Sequence, residues 1–132
     1  MSQENVEVVR GAFAEFERGN FWIGDIFHRD VRVVWLDALA GGETESLGVE
    51  SMAATVQEWL RTWDRMTMTA ERITVMGDEV VVIATWRGRG ITSEVPAEWR
   101  HGQVWTMRDG QVISLVSFPD PADALAAVGL SE

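Results

Sequence analysis

At 132 residues the chain has the length of one domain and is able to bury roughly two thirds of the surface its unfolded form exposes, so it needs no disulfide or metal staple. It has no cysteine and only two histidines, which excludes disulfides, thiolate catalysis and cysteine-based zinc sites and argues against a transition-metal centre made of side chains alone. A net charge of −10 repels polyphosphate and so disfavours nucleic acid, while seven tryptophans against no tyrosine supply large apolar plates and remove the phenol as an acid or donor.

The N-terminal stretch is acidic and amphipathic, and no apolar run approaches the ~20 residues of a membrane span, so a soluble, unexported, cytoplasmic protein is expected. Val6, Val9, Phe13 and Phe16 recur at three and four, which predicts a first helix over Gln3 to Arg18 with Gly19 as its stop. Asn20 is suited to cap a second, shorter helix over Phe21 to His28, where Trp22, Ile23, Ile26 and Phe27 are apolar. Asp30 then opens the strand-like run VRVVWLD. The stretch ALAGGETESLG is the most loop-like in the chain, a candidate lid with room for a very short strand. Met52, Val56, Trp59 and Trp63 follow at steps of four, three and four, predicting a third helix from Val49 to about Trp63.

Everything after Arg65 reads as strands separated by turn residues at Gly77-Asp78, Ser93 to Pro96 and Asp109-Gly110, hence a meander of long antiparallel hairpins. Asp120 with Pro121 behind it begins a short terminal helix that Gly129 ends. Helices followed by a meander predict an α+β fold in which a strongly curved antiparallel sheet forms a cone closed by the N-terminal helices, a single domain over residues 1–132. Gly88, Gly90 and Gly102 are the places where long strands are expected to bend.

Taken every second residue, the strand before the last hairpin sets Trp99, His101, Gln103, Trp105 and Met107 on one face. Two hydrogen-bonding side chains on an apolar face suit a cavity wall, where a ligand or trapped water satisfies them. A bulge at Gly102 would instead turn His101 to solvent. Asp37, flanked by Trp35, Leu36 and Leu39, is the best acid/base candidate if partly desolvated; as the first residue of a solvated loop it does nothing. Phe13, Phe16, Trp35, Trp59, Trp86, Trp99 and Trp105 are candidate ligand-binding residues, against the plainer reading that they only fill a core. Arg87 and Arg89 alternate with Trp86 and belong on the outer face, paired with Glu94 or Glu98.

The strings ENVEVVRGAFAEFERGN, FHRDVRVVW, VWTMRDGQV and SFPDPADALAAVGL together resemble the SnoaL-like branch of the nuclear-transport-factor-2-like superfamily, which includes ketosteroid isomerases, limonene epoxide hydrolases and scytalone dehydratases. The resemblance spans nearly the whole chain and implies the ketosteroid isomerase-like cone, a cystatin-like α+β roll. It also implies that Gln103 occupies the position of the isomerases' oxyanion-donating aspartic acid, a histidine in many SnoaL-like relatives. The isomerases' general base falls at or near Trp35, with Asp37 the nearest carboxylate, and their helix-one tyrosine falls near Ala12 and Phe13, so that donor is missing. On the last strand the resemblance turns Ile113, Leu115 and Ser117 inward, which adds Leu115 and Ser117 to the ligand-binding set. The expected function is therefore binding of a hydrophobic cyclic small molecule, with proton-transfer chemistry (isomerisation, cyclisation, dehydration or hydrolysis) carried by Asp37, His101 and Gln103. A non-catalytic ligand-binding or dimerising scaffold is the alternative. No cofactor and no metal are implied, and the expected partner besides the ligand is a second copy of the chain, docked through the outer sheet face.

Overall fold

The helical period of the first segment produces α1 (Ser2–Glu17), closed by Gly19 at φ 82. Asn20 belongs to this ending: its backbone N–H donates to the Glu15 carbonyl and its side chain to Glu15 Oε1 at 2.8 Å. The predicted second helix is thus corrected to one 3₁₀ turn, Gly24–Ile26. Phe27 and His28 already belong to β1 (Phe27–Trp35), because Phe27, Val31, Val33 and Trp35 share the parity that faces the core. A computed structural model of the chain describes residues 2–21, 23–36 and 44–131. Trp22, Asp37 and most of the loop read as a lid lie outside the described residues; its last part forms β2 (Thr44–Leu47).

Helix α2 (Val49–Thr62) is followed by β3 (Trp63–Met76), β4 (Glu79–Gly90), β5 (Pro96–Arg108) and β6 (Gln111–Phe118), then α3 (Pro121–Ala127). Trp63, expected on the helix, instead begins β3. The six strands form one sheet in the order β2-β1-β6-β5-β4-β3, antiparallel throughout except for β1 beside β6. Asp109 and Gly110 both have positive φ, 51 and 78, the backbone a two-residue primed hairpin turn demands. Asp120 caps α3 by accepting from the Ala122 N–H at 2.9 Å, with Pro121 in the first turn as expected.

The fold is the predicted α+β arrangement, a curved sheet with α1 and α2 over one face and α3 on the other. Strand β4 is covered on both sides: Val80, Val82, Ala84 and Trp86 enter the main core, while Val81 and Ile83 meet Val104, Ala124 and Leu125 under α3. That double cover explains why EVVVIATW reads as a continuous apolar run and not as an alternation. Between Thr106-Met107 and Ser114-Val112 the register slips, so Val112 is fully buried while Ile113, expected inward, faces the surface. One extra residue inverts the parity on either side of it.

Two glycines make room for close packing. A Cβ on Gly102 would lie 2.5 Å from the Ala124 Cβ and 3.2 Å from the Pro121 Cα, so its absence lets α3 settle on β5. The β4–β5 pairing runs unbroken past it, so no bulge forms and His101 keeps the inward parity. On Gly88 a Cβ would lie 2.6 Å from the Trp86 indole, which occupies that space itself. Gly102→Ala is expected to cost about 2 kcal/mol, because a backbone-lined contact cannot yield without moving α3. Urea unfolding compared with the wild type measures it, and an unchanged midpoint would contradict the packing described.

Candidate ligand cavity

Unbroken pairing of β5 with β4 puts Trp99, His101, Gln103, Trp105 and Met107 on the inner face, and all but the half-buried Trp99 are buried. His101 is 2 % exposed and Gln103 5 %. Their burial is tolerated because three polar groups in a row bond one another: Trp105 Nε1 donates to Gln103 Oε1 at 2.9 Å, and Gln103 Nε2 lies 3.2 Å from His101 Nε2. Directionality then fixes the protonation pattern. An indole nitrogen only donates, so the Gln103 oxygen must face Trp105 and its NH₂ must face His101. His101 Nε2 is therefore the acceptor, and the ring proton sits on Nδ1.

The second amide hydrogen of Gln103 has the Met68 sulfur at 3.5 Å, a weak acceptor. His101 Nδ1 and Trp86 Nε1 are buried donors without a partner among the described residues. Desolvation pushes the His101 pKa down to about 4, only partly offset by the charge of Glu71, so the imidazole is neutral at physiological pH. On the outer face Glu71 accepts from the Thr85 hydroxyl and from Arg100 Nε at 3.0 Å, and these contacts, the Thr85 bond foremost, hold its carboxyl below the usual range. Arg87 pairs with Glu98 at 2.6 Å, as the sequence suggested.

Beside Gln103 lies a cavity of about 60 Å³ between α1, Phe21 and Ile23 on the way into β1, α2 and the sheet. Of the residues expected to bind ligand, Phe16, Trp35, Trp59, Trp105 and Leu115 line it, together with Gln103 from the set expected to carry the chemistry. The others stand elsewhere. His101 reaches the cavity only through Gln103. Phe13 packs between Phe16 and Trp105, with centroids 5.1 Å and 6.0 Å away. Ser117 is buried opposite Gln103 in the β5–β6 register without lining the cavity. Trp86 and Trp99 stack on each other at 4.1 Å with Trp63 against their edge, a separate aromatic cluster.

The sequence reading missed Phe21, Ile23, Phe27, Met52, Val56 and Met68, which complete the wall. Met52 and Val56 were visible as the apolar stripe of α2, and Met68 shares a buried parity with Met66 on β3. Phe21, Ile23 and Phe27 were hidden by their assignment to a helix. No charged side chain lines the cavity among the described residues. Six aromatic rings, flexible methionines and one amide are equipped to hold an apolar group and to make one directional hydrogen bond.

The SnoaL-like domain model matches residues 8–115. No curated protein matches the sequence significantly. Among solved structures, a putative SnoaL-like polyketide cyclase from Jannaschia sp. CCS1 is similar with a TM-score of 0.77 and 22% identity, covering 99% of this chain and 95% of its own. A protein of ketosteroid isomerase-like fold from Catenulispora acidiphila, solved in complex with trimethylamine, has a TM-score of 0.74 and 20% identity over 94% of this chain and 93% of its own. TerC, co-crystallised with polyporic acid, has a TM-score of 0.75 and 22% identity over 95% and 97%. At these identities the likeness establishes the fold alone.

Proposed function

The chain belongs to the SnoaL-like domain family, and from that premise we propose that residues 1–132 act as one domain that binds a small hydrophobic, cyclic molecule in the cavity beside Gln103. The observation that carries this reading is the composition of the cavity wall: aromatic and aliphatic on every side, with a single amide held in fixed orientation by Trp105 and His101. Relatives of the same fold that hold polyporic acid and trimethylamine support a small-molecule occupant. At about 60 Å³ the space equals roughly two water molecules, so a ring enters by displacing the Met52 and Met68 side chains, which have the rotamer freedom to yield.

In the catalytic form of this proposal Asp37 transfers the proton, Gln103 orients the reacting group, and His101 acts as a positioning residue through its bond to Gln103. The reaction is then an isomerisation, cyclisation, dehydration or hydrolysis that needs no cofactor. A non-catalytic binding role is favoured by one observation: no ionisable side chain lines the cavity among the described residues. Homodimerisation through the outer face is part of the same proposal, since the Arg87–Glu98 and Arg100–Glu71 pairs give that face both signs of charge, as a self-complementary patch requires.

Titration with neutral cyclic probes such as phenol tests the binding reading. The Gln103 side-chain NH₂ and Trp105 indole resonances should shift together at saturable probe concentrations. Shifts confined to the outer sheet face, or none at all, would sink it. Asp37→Asn should leave the probe affinity unchanged within about twofold, because Asp37 serves chemistry and not seating in this reading.

A further inference from the structure

Resting on that cavity being the ligand site, and adding the charge of its occupant, we propose that the group seated there is a methylated ammonium carried by a small hydrophobic molecule. Phe16, Phe21, Phe27, Trp35, Trp59 and Trp105 surround the space. Aromatic faces carry negative quadrupole potential, and a methylated ammonium is attracted to them while giving up little hydration compared with a primary amine. The rings are held against one another: Phe16 stacks on Phe21 at 4.9 Å, Phe27 on Trp105 at 5.9 Å, and Trp35 meets Trp59 edge-on at 4.8 Å. Such mutual packing preorganises them and lowers the cost of ordering them around a ligand.

The polar residue points to the same sign. The Trp105 N–H is already given to Gln103 Oε1, and the two Gln103 amide hydrogens are directed to His101 Nε2 and Met68 Sδ. What the amide retains is a second lone pair on Oε1, which suits the positive hydrogens of an ammonium group and repels an oxyanion. No charged side chain of either sign lines the cavity among the described residues, so the ring faces set the sign of its occupant, attracting a cation and repelling an anion. The net charge of −10 adds a long-range attraction that concentrates cations around the whole molecule.

The test compares choline with its uncharged isostere 3,3-dimethylbutan-1-ol, and both with phenol, by tryptophan fluorescence and indole N–H shifts on the full chain. Choline should bind at least about tenfold tighter than the isostere. The preference should persist in about 0.5 M salt, where long-range attraction is screened to within a few ångströms. Trp59→Leu and Phe21→Leu change partly exposed wall positions while keeping apolar bulk; each should lower the ratio of choline to isostere affinity several-fold, with Tm confirming that the variants fold. Equal or weaker binding of choline, or a preference abolished by salt, overturns the charge assignment while leaving the cavity reading standing if phenol or the isostere still binds. Failure of all three probes overturns both.

Discussion

Trp105→Ala is expected to lower the unfolding free energy by about 5 kcal/mol, a large share of the 5–15 kcal/mol that holds a domain of this size together. Trp105 is fully buried, with the Phe13, Phe16 and Phe27 rings 6.0, 6.4 and 5.9 Å away, so truncation removes transfer energy and leaves a void those rigid neighbours cannot fill. It also strips Gln103 Oε1 of its donor, which adds the cost of an unsatisfied buried acceptor, about 1–3 kcal/mol. The melting temperature should fall by about 15 °C or more. Trp105→Phe separates the contributions: most of the ring volume stays, the hydrogen bond goes, and the loss should be about 1–2 kcal/mol. Because the void is continuous with the existing cavity, a small aromatic solute should raise the Tm of the alanine variant more than that of the wild type. A fall of under 5 °C for Trp105→Ala would mean that the cone's interior is not the core described here.

Local chemistry made most of the fold readable in advance. Turn residues with obligatory backbone conformations, such as Asp109-Gly110, and a capped Pro-initiated helix at Asp120-Pro121 keep their meaning regardless of what surrounds them. Phe27 shows where that stops. Its neighbours have a helical distribution of apolar residues, yet pairing with Val112 on β6 claims it for a strand, and nothing within ten residues of Phe27 announces a partner so distant. The same non-local pairing hid half of the cavity wall, since Phe21, Ile23 and Phe27 converge on Gln103 only once the sheet has closed. Ile113 marks a second limit: a one-residue register slip inverts parity and has no compositional signature when both candidates, Val112 and Ile113, are β-branched. The face of β5, by contrast, was legible because it has no such slip between Pro96 and Thr106, so simple alternation placed His101 and Gln103 side by side and inward.

That neighbourhood makes His101 the source of a distinct pH dependence. Its folded-state pKa, pushed down to about 4 by burial, lies below the 6.5 of an unhindered histidine, so between those values the unfolded chain binds a proton that the native state refuses. Stability contributed by the neutral ring is complete above pH 6.5 and is lost as pH falls towards 4, about 3 kcal/mol in all, of which about 2 kcal/mol is gone by pH 5. The relay supplies a structural reason beyond desolvation. A protonated ring carries a hydrogen on Nε2 that confronts the Gln103 NH₂, and rotating the amide to accept it would set that NH₂ against the Trp105 N–H. Glu71, across the sheet, is the one charge among the described residues that opposes the shift. Urea unfolding of the wild type at pH 7.5 and pH 5 should show the loss, and His101→Leu should flatten the difference to within about 0.5 kcal/mol. Trp105→Phe should shrink it, because an amide freed from the indole can turn its oxygen towards the imidazolium and let the pKa rise. A wild-type difference that survives unchanged in His101→Leu would assign the dependence to other groups and leave the locked relay without a thermodynamic signature.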